Sequence, residues 1–215
     1  MVTVTAEPSD LPLDATVRRA GYGDVRFTLA DTLEMVRATV IPEDVSIELL
    51  NGRLVYRDRF DIKDGVVVFG PRHRYVVCKL ADLSIGINDG HRHLSSQCQL
   101  TCSDWHAPIA DAVVLRGSIA DFDGLPTAAD AFCVVEVADS SYERDAGEKL
   151  FGYARAGVPQ YVIVNLRNRT AEVYAGPDVA AGTYPPPTIV PADGVLSLRV
   201  ADGELFDVPL ADLLP

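Results

Sequence analysis

Residues 132–165 leave the chain few ways to fold. "FCVVEV" and "YVIVN" are short β-branched runs suited to buried strands, and the stretch between them carries the marks of one helix. Ser140 and Glu143 have capping-box spacing, Ala146, Leu150 and Ala154 form an apolar stripe, Gly157 supplies a stop and Pro159 forbids continuation. Strand, helix, strand is the signature of a crossover between strands of one sheet, which makes the chain an α/β protein. Within the first strand stands Glu136. A charged group buried alone costs several kcal/mol, so this position needs a cation, a proton or a metal.

Punctuation organises the rest. "FTLADTLEMVRATV" offers Thr28 as N-cap and a stripe of Leu29, Leu33, Val36 and Val40, ending before Pro42. "SIELLNGRLVYRD" reads as two strands about an Asn51-Gly52 turn, and "GVVVFG" as another strand. Pro71 then opens a helix with Val76, Leu80, Leu83 and Ile87 on one stripe. Further strands are predicted near 96–102, 111–115, 132–137, 160–165 and 170–174, followed by a proline-rich surface excursion and a closing strand pair in "VLSLRVADGELFDVPLADLL". Residues 1–26 read as an N-terminal extension and 27–215 as a single domain with a central mixed sheet flanked by helices.

Composition narrows the function. A formal charge of -12 counsels against a protein that coats nucleic acid, yet residues 52–74 hold six basic against three acidic residues. That stretch is either a solvated segment of mixed charge or a contact for a polyanion. The N-terminal twenty residues lack a basic start followed by an apolar core, no run of eighteen apolar residues occurs, and four cysteines are too sparse for a disulfide scaffold. A reducing cytoplasm and no membrane are the expectation.

The chemistry comes from acids placed on strands. Asp111 opens "DAVVL", 25 residues before Glu136, and Lys149 follows 13 residues later on the crossover helix. Two carboxylates on successive strands with a lysine nearby are what metal-assisted phosphodiester hydrolysis requires, and all-oxygen ligands suit a hard ion such as magnesium. A rival set of His91, His93, Cys98, Cys102 and His106 would suit zinc. On a strand, however, Cys98 and Cys102 stand about 13 Å apart, too far for one tetrahedral ion.

These segments together resemble the PD-(D/E)xK nuclease superfamily and, within it, the restriction-endonuclease family called Uma-two. "SIELLNGRLV", "PRHRYVVCKL", "IADAVVL", "FCVVEVADSS", "RDAGEKLFGYARAGVPQYVIVN" and "AEVY" occur in the family's order. The resemblance implies a restriction-endonuclease-like core that cleaves DNA with Mg2+ or Mn2+; since a cleaver of both strands of a duplex commonly needs two active sites and this chain supplies one, a two-fold homodimer is expected. Asp111 and Glu136 would be metal ligands and Lys149 a catalytic lysine migrated onto the helix, with Glu48 and His73 at the edge of the site. Arg57, Arg59 and Arg72 of the basic stretch would contact substrate. The chain departs from the family at Ala110 in place of proline, at Ala138 where the common motif has lysine, in a shortened "ADSS", and at Gln160, Val162 and Asn165.

Each residue has a structural alternative. Asp111 could cap a strand, Glu136 could pair with an arginine, and Lys149 could form an exposed pair with Asp145 four residues earlier. Glu48 could face solvent and His73 could be a satisfied core histidine. The competing function is a nuclease fold that has lost turnover and serves as a binding module.

Overall fold

A computed structural model describes residues 25–42, 45–56, 61–63, 66–68 and 70–215. Arg57, Arg59 and residues 1–24 of the proposed extension lie outside the described residues. In chain order the elements are α1 (Leu29–Arg37), β1 (Ile47–Leu50), β2 (Arg53–Tyr56), β3 (Asp61–Lys63), β4 (Val66–Val68), α2 (Pro71–Asp82), α3 (Ser84–Ile87), β5 (Arg92–Gln99), β6 (Ile109–Arg116) and β7 (Ala131–Ala138). The crossover follows as α4 (Tyr142–Arg144), a π turn (Asp145–Lys149) and α5 (Leu150–Arg155). Then come β8 (Gln160–Asn165), β9 (Thr170–Ala175), β10 (Thr188–Val190), β11 (Val195–Ala201), β12 (Glu204–Pro209) and α6 (Leu210–Leu213).

The centre is a six-stranded mixed sheet in the order β10-β9-β8-β7-β6-β5. Strands β7 and β8 run parallel, from Val134 opposite Tyr161 to Ala138 opposite Asn165, as the crossover demands; the other neighbours are antiparallel. All eight residues of β7 and all six of β8 are buried, so both faces of the sheet's middle are covered. Alternation then sorts the side chains. Val135, Val137, Val162 and Val164 join Val76 and Leu80 of α2 and Leu196 and Leu198 of β11 in one cluster. Val134, Ala138, Tyr161 and Ile163 pack with Tyr153 of α5 in the other. Each fully buried aliphatic contributes roughly 1.5–3 kcal/mol. Glu136 shares its parity with Val134 and Ala138 and therefore faces the crossover helix.

The β1–β2 hairpin turns at Asn51 and Gly52, both with positive φ (50° and 77°), the conformation an Asn-Gly pair accepts most readily. The amide of Ala107 donates to the carbonyl of Leu49 at 2.8 Å and thereby seats the hairpin beside the start of β6.

Local features depart from the sequence reading in instructive ways. Thr28 does cap α1, reciprocally with Asp31, but Leu33, Val36 and Val40 face solvent and Thr32 is the buried residue. The helix opened by Pro71 breaks at Leu83 into α2 and α3, although Val76, Leu80 and Ile87 stay buried along its stripe. The strand expected at 96–102 runs instead from Arg92 to Gln99. The capping box at Ser140 does not form. The crossover helix begins after Ser141, whose hydroxyl donates to the Asp145 carboxylate at 2.5 Å.

Candidate active site

Glu136 is fully buried, and the cation it needs is Lys149. The Lys149 ammonium donates to Glu136 Oε1 at 3.0 Å, to Glu48 Oε1 at 2.8 Å and to the Ile109 carbonyl at 3.2 Å. It is only 2% exposed, so the surface pair with Asp145 is not what forms. Lys149 closes the π turn, in which the Leu150 amide reaches back to the Asp145 carbonyl. The Tyr161 hydroxyl also donates to that carbonyl, at 2.9 Å, and pins the wide turn to the sheet. Such single π turns recur at functional sites. Burial works against the ammonium, but the carboxylates of Glu136 and Glu48, with a contribution from Asp145, outweigh it and hold its pKa above the ordinary lysine value. Lys149 is thus a fixed cation. Ala138, two residues along β7 on the same face, is buried and carries no polar group.

Glu48 comes from β1 and does not face solvent. Its Oε1 also accepts the amide of Ile109 at 3.1 Å, which ties the hairpin to the first residue of β6. Outside the buried cluster, Asn51 and Arg53 both bond Glu148, at 3.0 and 2.9 Å, and so fasten the same hairpin to the π turn.

Asp111 is buried by other means. The β6–β7 ladder runs to Ala112 opposite Val135, and one step further the Asp111 Oδ2 accepts the Val137 amide at 2.8 Å in place of a backbone carbonyl. His73 Nε2 lies 3.1 Å from the same oxygen, and the Gln97 side-chain amide donates to Oδ1 at 2.9 Å. His73 sits in the first turn of α2, which packs against β5, β6 and β7, and its side chain is slightly exposed. It is neither a strand cap's neighbour nor a wholly enclosed core histidine: it links α2 to the carboxylate.

Two side chains, the buried Tyr153 and the exposed Gln97, extend the site beyond the sequence reading. The Tyr153 hydroxyl donates to Glu136 Oε1 at 3.0 Å; burial, then the charge of Glu136, pushes its pKa well above the usual phenol value, so it remains a donor. Its position four residues after Lys149 on a helix was the available signal. Gln97 carried no such signal, because its place beside Asp111 depends on how β5 pairs with β6. His106 packs against Gly152, where any Cβ would meet the imidazole Nε2 at 2.1 Å, and its Nδ1 accepts the Asn51 amide at 3.3 Å. Burial, with the nearby charge of Lys149, lowers its pKa to about 4 against a partial offset from Glu48. Of the zinc-type residues, His93 is engaged at Nδ1 with the Gly117 carbonyl and Cys98 lies buried in β5. Arg72 is exposed, and its guanidinium donates to the Leu166 carbonyl at 2.6 Å, joining the start of α2 to the end of β8.

Asp111 and Glu136 lie on adjacent strands beside the point where the β6–β7 ladder ends, and their carboxylates are of the type that could hold a metal. Among the described residues no three His, Cys, Asp or Glu side chains converge into a ready-made cage. Two carboxylates fit a magnesium-like ion, which keeps waters and completes its shell with substrate phosphate oxygens. They do not make a structural zinc site, which needs four protein ligands of nitrogen or sulfur type.

Comparison with known proteins agrees with this architecture. A crystal structure of "a putative nuclease belonging to DUF820" from Anabaena variabilis is similar over 87% of this chain and 97% of its own, with a TM-score of 0.61 at 14% identity, a likeness of fold. No curated protein matches. Among the described residues no helix is long and apolar enough to cross a membrane. The model of the Uma2 family, described as "Putative restriction endonuclease", matches residues 31–206, and the chain belongs to that family.

Proposed function

We propose that this chain is a metal-dependent endonuclease of PD-(D/E)xK type that hydrolyses DNA phosphodiester bonds. The observation that supports the reading is that Asp111 and Glu136 stand on adjacent strands beside the end of the β6–β7 ladder, with Lys149 and Glu48 gathered at Glu136 and His73 at Asp111. Asp111 and Glu136 are the proposed ligands for Mg2+ or Mn2+. The ion, when bound, polarises the scissile phosphate and makes its water more acidic. Lys149, held cationic at Nζ, stabilises negative charge developing on the phosphate rather than abstracting a proton. Glu48 fixes Lys149 from the far side, and His73 orients Asp111 from α2. Tyr153 holds Glu136 by its hydroxyl. Residues 27–215 form the proposed working unit, in the cytoplasm.

Substrate contact is assigned to Arg57, Arg59 and Arg72. Phosphate contacts of this kind weaken with salt, so Arg72→Ala should flatten the slope of log affinity against log salt. A cleaver of both strands needs two sites, so we propose a two-fold homodimer, which light scattering tests; a monomer mass at micromolar concentration refutes it. The decisive assay incubates supercoiled and linear DNA with the protein and millimolar Mg2+ or Mn2+. Cleavage that needs the ion and disappears in Asp111→Asn supports the proposal. Binding of DNA without cleavage, indifferent to that substitution, would make the chain a binding module instead.

A further inference from the structure

Gln97 adopts a backbone conformation that the residue type disfavours, at one point in the sheet. It lies inside β5 with φ at 52°, in the left-handed region that glycine and asparagine enter readily and glutamine does not. The ladder with β6 is regular on both sides, Ser96 opposite Ala112 and Cys98 opposite Ala110, and it skips the Gln97–Asp111 pair between them. At that interruption the Gln97 amide turns to Asp111, donating to Oδ1 at 2.9 Å, while Oδ2 takes the Val137 amide and His73. Asp111 is fully buried, whereas Gln97 is exposed on the edge strand. An exposed position under backbone strain, with its side chain committed to a buried carboxylate, is the pattern of a residue kept for a site rather than for the sheet.

We propose that Gln97 is a positioning residue for Asp111: its amide, donating to Oδ1, fixes the plane of the carboxylate in the orientation that ligation of a divalent ion requires. The inference rests on the proposed metal-dependent reading. Groups that orient metal ligands from behind typically change metal affinity by about 10- to 100-fold when removed. A residue that only shaped the strand would change melting and leave metal affinity alone.

Two substitutions separate these roles. Gln97→Met keeps the length and the strained backbone but removes the donor; Gln97→Gly removes the donor and relieves the strain. Mn2+ binding to the parent and to each variant is measured by titration calorimetry, with metal-free melting curves as a second readout. Both variants should bind Mn2+ about 10-fold or more weaker than the parent, and Gln97→Gly should melt no lower than Gln97→Met. Parental affinity in either variant overturns the positioning role while leaving the metal site standing. Failure of the parent itself to bind Mn2+ overturns the metal site and this inference with it.

Discussion

Two of the buried acids, Glu136 and Asp111, are kept in place by opposite strategies. Glu136 is balanced by a full charge: one ammonium, brought 13 residues down the chain on the crossover helix and shared with Glu48. Asp111 is surrounded by donors from α2, β5 and β7, two of them uncharged amides. Concentrating compensation in one cation makes that half of the site rigid and vulnerable to one substitution, while distributing it among three elements makes the other half tolerant. Rigidity suits Lys149 as a fixed positive charge. Distribution suits Asp111, whose partners hold it from several directions.

Removing the cation should give the largest effect. Lys149→Met removes the ammonium that Glu48 and Glu136 share, and breaking a buried ion pair costs about 3–5 kcal/mol. On the Asp111 side His73→Gln should cost about 1 kcal/mol, since amide donors remain. Urea denaturation at pH 7 measures both, and equal losses would erase the contrast.

Acid should weaken the Glu48–Lys149 half through His106. Its folded-state pKa of about 4 lies below the ordinary 6.5, so between those values the unfolded chain takes up a proton that the folded chain refuses. The stability this provides is complete above pH 6.5 and is lost as pH falls toward 4, by up to about 3 kcal/mol. His106→Gln should flatten that part of the stability profile; an unchanged slope would mean that the imidazole is protonated in the folded state. A smaller effect is expected of Tyr153→Phe, about 1.5–3 kcal/mol for a lost bond to a buried carboxylate, read by the same denaturation curves. A neutral outcome would show that Lys149 alone satisfies Glu136.

How much of this was legible in the sequence varies with the range of the interaction. The parallel β7–β8 crossover, the Asn51-Gly52 hairpin and the burial of Glu136 followed from period-two patterning and turn chemistry, which act within a few residues. The partner of Lys149 did not. Asp145 stood at helical spacing, whereas Glu48 lies 101 residues away and meets the ammonium through the tertiary fold. Ser140 matched a capping pattern, but the helix starts one residue later, after Ser141, which bonds the Asp145 carboxylate. The α1 stripe had correct periodicity for a core that does not cover it. Gln97 depended on the register of an edge strand, which no local pattern specifies.

The central claim is that Asp111 and Glu136 jointly hold a divalent ion. It is tested most directly by melting curves of the parent, Asp111→Asn and Glu136→Gln with and without millimolar Mn2+. A ligand that binds only the folded state raises its stability by mass action, so the parent's transition should move up with Mn2+ and neither variant's should. No shift in the parent, or an equal shift in all three proteins, would contradict the metal site and leave Lys149 as a purely structural counter-ion.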